Sequence, residues 1–167
     1  MGRLQKETRG LNRDQLRSFT EEVLAEMARL MDEPRINSRA AVNLLLGTAA
    51  QESQFGHCLV EYSGGPGRGL NQITHKPNFY YLCAKYGDQI PYIAGKPFEQ
   101  CKWDLKLSII IARLWYWEDR DPLPDADDVE AMGVYWDQKF NRNPNAGTPA
   151  EFVANYRRYV LGEPVKS

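Results

Sequence analysis

Three cysteines (Cys58, Cys83, Cys101) and two histidines are all that 167 residues hold of the side chains that favour soft metals or disulfides. The cysteines are odd in number, widely spaced and without ligand pairing. Reduced thiols are therefore expected, and neither a disulfide framework nor a zinc site is. Excess charge is also missing. Lys and Arg number 21, Asp and Glu 22, for a net charge of −1, and no basic stripe of the kind that holds nucleic acid stands out. Long apolar runs are absent too. The longest, residues 107–117, is interrupted by Ser108 and Arg113, and a bilayer span needs ~20 residues, so stable membrane insertion is not expected. The opening MGRLQKETRGLNRDQ has no apolar core like that of a signal peptide, and Lys6 stands where N-myristoylation requires Ser or Thr. Synthesis in the cytoplasm without a signal peptide is the expectation. Internal repeats and low-complexity segments are lacking as well.

What is present is the makeup of an ordinary globular chain. With 43% apolar and 26% charged residues it falls outside the disordered and fibrous classes. Its length suits one domain that buries roughly 70% of the surface exposed by its unfolded form. The periodicity is helical. Leu16, Phe19, Val23, Leu24, Met27, Leu30 and Met31 recur in three- and four-residue steps, which is one face of a helix over residues 13–31. Asn12 or Asp14 caps it and Pro34 follows it. A second helix is expected to start after Asn37 or Ser38 and to run through Val42, Leu45, Leu46 and Ala49 toward Glu52. THKPNFYYLCAKYG reads as a third, with Pro77 in its first turn and Gly87 at its stop. WDLKLSIIIARLWYW is apolar nearly all round, as a buried central helix is. PLPDADDVEAM is a proline-marked loop leading to a capping pair of Asp127 and Glu130. GTPAEFVANYRRYVLG carries Thr148 as cap, Pro149 at the first helical position, Glu151 three after the cap and Gly162 as stop. No hairpin signal joins two strands. The expected fold class is all-α: a compact single domain over residues 1–167 with six or seven helices. A loosely ordered N-terminal segment at 1–12 and, at most, a short β-excursion near 62–73 complete it.

One stretch does not reduce to helix or plain loop. AAQESQFGHCLVEYSGGPGRGLNQI, residues 49–73, begins apolar, carries Glu52 where the helix ends, and places four glycines within residues 64–69. A phosphate cradle fails: Gly65, Gly67 and Gly69 lack the dinucleotide spacing and the P-loop lysine, and they follow a helix rather than a strand. Glycines that merely take positive φ would account for the turn, and Glu52 taken alone reads as a solvent-facing glutamate near a helix end. A carboxyl set against Leu44, Leu45, Leu46, Ala49 and Ala50, however, loses hydration in its charged form, so its pKa rises. It then keeps the proton that a general acid must donate.

Glu52-Ser53 followed by Gly69-Leu70-Asn71-Gln72-Ile73 resembles two motifs of the lysozyme-like lytic transglycosylases, the group that includes the goose-type lysozymes. Those proteins carry a Glu-Ser pair at the end of an apolar helix and a glycine-containing loop that closes in Gly-Leu-x-Gln and an aliphatic residue. Their third motif, Ala-Tyr-Asn-Ala-Gly, is matched in degraded form by Phe140-Asn141 and, after an insertion, Asn145-Ala146-Gly147. The resemblance covers residues 38–160 and is to the phage-encoded members. It implies a lysozyme-like domain that cleaves peptidoglycan at the β-1,4 bond between N-acetylmuramic acid and N-acetylglucosamine. Glu52 would be the acid/base, with Ser53, Gly69, Leu70, Gln72 and Asn141 at the glycan. Phe140 stands where the family has tyrosine. Tyr135 is the candidate substitute, on the same predicted helix but turned away by roughly 140°. No metal and no cofactor is implied.

Lytic transglycosylation needs one acid/base, which protonates the leaving oxygen and then deprotonates the substrate's own C6 hydroxyl to close a 1,6-anhydro ring. Hydrolysis normally needs a second carboxylate. Glu61, nine residues past Glu52, has the separation of the two acids in phage-type lysozymes, although the third member of that pattern falls on Gly67 instead of a threonine. Transglycosylation is expected first. The alternatives are a hydrolytic muramidase using Glu61 as second carboxylate, and a catalytically weak virion or structural protein that binds cell wall. Tyr80, Tyr81, Tyr86, Trp103, Trp115, Tyr116 and Trp117 are expected to supply one or two sugar-stacking surfaces and otherwise core. His57 and His75 are expected at the surface. The expected partners are peptidoglycan glycan strands, with a holin or virion components for delivery to the wall, and no nucleic acid.

Overall fold

The computed structural model describes residues 10–61, 64–141, 143 and 145–164. Over these residues it forms α1 (Arg13–Leu30), α2 (Arg39–Ser53), α3 (Lys76–Tyr86), α4 (Leu105–Trp117), α5 (Val129–Lys139) and α6 (Pro149–Asn155). Helix α6 runs on into a π-helical turn, Tyr156–Val160, and short 3-10 turns lie at Pro34–Ile36, Pro91–Ile93 and Phe98–Lys102. The chain is thus an all-α single domain, with six α-helices among the described residues. Near residues 62–73, the described part of the expected β-excursion amounts to isolated bridges of Arg68 with Val60 and Ile73. Among the described residues no helix is long and apolar enough to cross a membrane.

Local chemistry sets the helix starts. Asn12 Oδ1 accepts the N–H groups of Asp14 and Gln15 at 3.0 and 3.1 Å, and Ser38 Oγ accepts that of Ala41 at 3.1 Å. Each satisfies donors that no preceding helical turn can reach, a contribution of about 1 kcal/mol per cap. Thr148 and Glu151 form the reciprocal capping box. The cap of α5 differs from the expected pair. Asp128, not Asp127, accepts the Ala131 N–H at 2.9 Å, and Asp127 reaches across to Arg39 at 2.6 Å. Glu130 then sits in the first helical turn, where a negative charge suits the helix dipole. Of the expected loose segment at 1–12, residues 1–9 lie outside the described residues. Leu11 donates its N–H to the Phe55 carbonyl at 2.8 Å, which ties it to the turn after α2.

Helix α4 is buried from Leu107 through Tyr116, as its apolar pattern predicts. The hub of the domain is nevertheless α2, which touches α1, α4, α5, α6 and the π-helical turn. Small residues make that possible, since helices approach as closely as the side chains between them allow. A Cβ on Gly47 would come within 2.4 Å of the Phe152 ring, and Ala41, Ala49 and Ala50 are covered completely or nearly so. Every residue from Ala41 through Ala50 is buried. The last turn of this clamped helix carries Glu52.

Candidate active site

Helix α2 ends in an abrupt reversal. Gln54, Phe55 and Gly56 all take positive φ (51°, 58° and 79°), a region that side chains other than glycine enter at a cost of roughly 1–2 kcal/mol. Phe55 is held there by burial of its ring edge-on against Tyr159, 5.4 Å between centroids. The reversal leaves Glu52 beside α5, where the Trp136 Nε1–H donates to Glu52 Oε1 at 2.9 Å. Part of Glu52 still meets solvent, yet the protein packed around its carboxyl removes most of the hydration that its charged form needs. Burial pushes its pKa up to about 8; the Trp136 bond pulls it partly back, and the negative charge of Glu61 adds to the rise. A carboxylic acid of this kind is mostly protonated at neutral pH and remains reachable.

The glycine turn forms the other side of the site and is braced from within. Ser53 Oγ donates to the carbonyls of Leu70 (2.6 Å) and Ala49 (3.1 Å) and accepts the Gly56 N–H (2.8 Å). This hydroxyl, expected at the glycan, is buried and staples the turn to the helix end. Gln72 is buried as well. Its Nε2 donates to the carbonyls of Cys58 and Gly69, both at 2.9 Å, so its amide holds the two arms of the loop together. Gly69 has φ 77°, and a Cβ there would lie 1.9 Å from the Cys101 carbonyl oxygen; this position admits no side chain. Leu70 is a core residue. Arg68 folds its guanidinium back onto the carbonyls of Gly65 (2.7 Å) and Gly67 (2.9 Å) and pairs with Glu99 at 3.2 Å. Glu61 is exposed and leans over the turn, where its Oε2 accepts the Gly67 N–H at 3.2 Å. Glu61 is thus near enough for its charge to act on Glu52, whereas Ser53, Gly69, Leu70 and Gln72 build the wall between them and the core.

The degraded third motif reaches the site indirectly. Asn141 Nδ2 donates to Asp137 Oδ1 (3.1 Å) and to the Gly147 carbonyl (3.4 Å). A Cβ on Gly147 would touch the Gln51 amide at 2.7 Å and the Trp136 ring at 3.1 Å, so the segment lies against the tryptophan that holds Glu52. Phe140 is buried and stacks on Tyr116 at 5.3 Å. Tyr135 turns its hydroxyl to the Asp121 carbonyl at 3.1 Å and does not act as the expected substitute beside Glu52. Trp136 takes the place beside the acid instead. It is one helical turn before Phe140, hence on the same face, and this spacing is the signal that reasoning from Tyr135 overlooks. Tyr116, one of the candidate stacking aromatics, reaches this region from α4. It is buried and shares a 2.8 Å hydrogen bond with Thr48 one turn before Glu52; burial raises its pKa, and the charge of Glu52 adds to the rise.

Of the other aromatics, Tyr86 and Trp115 are core, and Tyr80, Tyr81 and Trp103 are exposed. His57 and His75 are at the surface, and His75 Nδ1 accepts the Asn78 N–H at the start of α3. Among the described residues no three His, Cys, Asp or Glu side chains gather as a metal site would require. No protein-family model, curated protein or solved structure matches the chain.

Proposed function

We propose that the chain is a cell-wall glycan-cleaving enzyme whose general acid is Glu52. One observation carries this reading: a carboxyl group at a helix end, partly accessible, pushed up to about 8 by burial and oriented by the Trp136 N–H. Such a group has a proton to give to a glycosidic oxygen at neutral pH, and after giving it becomes a base. The bond it would act on, the β-1,4 linkage from N-acetylmuramic acid to N-acetylglucosamine, rests on the resemblance of Glu52-Ser53 and Gly69-Leu70-Asn71-Gln72-Ile73 to the lytic transglycosylase motifs. In that scheme Glu52 protonates the leaving oxygen and then takes the proton of the C6 hydroxyl as the 1,6-anhydro ring closes. Delivery to the wall by a holin-like partner or within a virion belongs to the same proposal.

Hydrolysis is the second reading, and Glu61 is the observation in its favour. Its charge is felt at Glu52, and it sits on the glycine turn, where a second carboxylate could activate a water against the anomeric carbon. The experiment is mass spectrometry of the fragments released from purified peptidoglycan by the wild type, Glu52→Gln and Glu61→Gln. Fragments ending in 1,6-anhydromuramic acid, lost with Glu52→Gln and kept with Glu61→Gln, support transglycosylation. Reducing-end muramic acid, lost with either variant, supports hydrolysis. No release by the wild type, on walls that a control lysozyme digests, refutes the enzyme and leaves wall binding as the function to examine.

A further inference from the structure

Among the buried side chains of the described core, Arg113 is the only charged one, 2% exposed in the middle of α4. Its Nε–H donates to the Ile36 carbonyl at 2.9 Å and its Nη2–H to the Arg35 carbonyl at 3.2 Å. The guanidinium lies over the Trp117 ring, 5.3 Å from the centroid. All three partners are neutral. Arg113 forms no ion pair with a carboxylate among the described residues, and loss of hydration pulls its pKa only down to about 10, so it stays charged at neutral pH. A buried charge without an opposite charge is among the most costly features a fold can carry.

Arg113 is also part of the wall of an open cavity of about 570 Å³, within the usual size range of small-molecule sites. Arg35 and Arg120 line it as well, with Pro122 and Leu123 as an apolar side. Two acids in the wall, Asp119 and Asp121, are already engaged by Lys139 at 3.0 and 2.5 Å. Arg35 is taken by Glu33 at 2.7 Å and lies over the Trp117 ring, 5.4 Å from its centroid. Arg120 is exposed and has no ion pair among the described residues. With their partners Glu33 and Lys139 included, these side chains set four cations (Arg35, Arg113, Arg120, Lys139) against three carboxylates (Glu33, Asp119, Asp121), so the wall keeps one positive charge in excess, and the hydrogen bonds to the Arg35 and Ile36 carbonyls hold the Arg113 guanidinium in place. A positively charged wall that includes a positioned guanidinium is suited to a carboxylate or phosphate.

We propose that this cavity at the C-terminal end of α4 binds a small organic anion, a carboxylate or phosphate group on an apolar body, through Arg113 and Arg120. The site is distinct from the glycan site: Glu52 is not in its lining, and Tyr116 forms part of the wall between them. It stands whether or not Glu52 cleaves glycan.

The test is isothermal titration calorimetry of the full chain with inorganic phosphate and, separately, with malonate, at constant ionic strength set by sodium chloride. One saturable site is expected for at least one probe, weakened about tenfold or more by Arg120→Glu. Arg113→Met should abolish it, with circular dichroism checking that the fold survives. Because Arg113 also ties α4 to the Pro34–Ile36 turn, the exposed Arg120→Glu variant carries the decision. A response to phosphate alone or to malonate alone assigns the anion class. No saturable heat with either probe, or binding that Arg120→Glu leaves unchanged, overturns the proposal.

Discussion

Replacing Glu52 with Gln keeps the side chain's size and its ability to accept the Trp136 N–H, while removing the proton equilibrium. In the unfolded chain this carboxyl titrates near 4.5 and in the fold at about 8. Between those values the folded state holds a proton that the unfolded state has released. Wild-type stability therefore falls as pH rises through this window, and the contribution of the protonated acid is gone above it. The full displacement corresponds to about 5 kcal/mol. Glu52 keeps partial access to water, so about 2–4 kcal/mol is the loss to expect. Urea unfolding of the wild type and Glu52→Gln at about pH 5 and about pH 9 isolates it, because every other titrating group is common to both proteins. The variant should gain about 2–4 kcal/mol on the wild type between the two conditions. A difference that stays constant with pH would show that the carboxyl is not desolvated, and the general-acid argument would fall with it. If the acid is catalytic, wall cleavage by the wild type should decline above about pH 8, as the proton is lost.

Trp136→Phe removes the donor that holds Glu52, and since that bond lowers the pKa, the carboxyl should titrate higher still. Carbon-13 NMR of the Glu52 carboxyl reads this directly, and an unchanged or lower midpoint would refute the assigned role. Gly69→Ala places a Cβ 1.9 Å from the Cys101 carbonyl at a φ of 77°, so the turn must move. A loss of about 3 kcal/mol or more is expected in urea unfolding, and a loss under about 1 would contradict the packing described. Ser53→Ala strands the Gly56 N–H and frees the Leu70 carbonyl from its 2.6 Å bond. It should cost about 1–3 kcal/mol and leave the Glu52 titration where it was. A shifted titration with stability intact would make Ser53 a site residue after all.

The helices and their caps were legible because the forces that start and stop a helix act within a turn or two along the chain. Asn12, Ser38, Pro77 and the Thr148–Glu151 box act as expected; Asp128 in place of Asp127 is a slip of one residue, where two neighbouring acids could each cap and a long-range partner, Arg39, holds the other. The acid itself was legible for the same reason, as a lone carboxyl at the end of an apolar helix. Its surroundings were not. Trp136 is 84 positions away from Glu52, and Tyr135 or Trp136 can face the acid only according to the rotation of α5, which packing decides. Ser53 and Gln72 look alike as polar motif residues whether they point at a ligand or brace a loop, and only the folded turn shows that their hydrogen bonds are used internally. Arg113 reads in the sequence as an interruption of an apolar run. Its burial without an ion pair, beside a cavity, exists only after α4, the Pro34–Ile36 turn and the loop after α4 have come together. Residue order determined which segments coil, where they stop and which one carries an acid. Tertiary contact decided which groups lose water, because desolvation depends on neighbours in space and not in sequence.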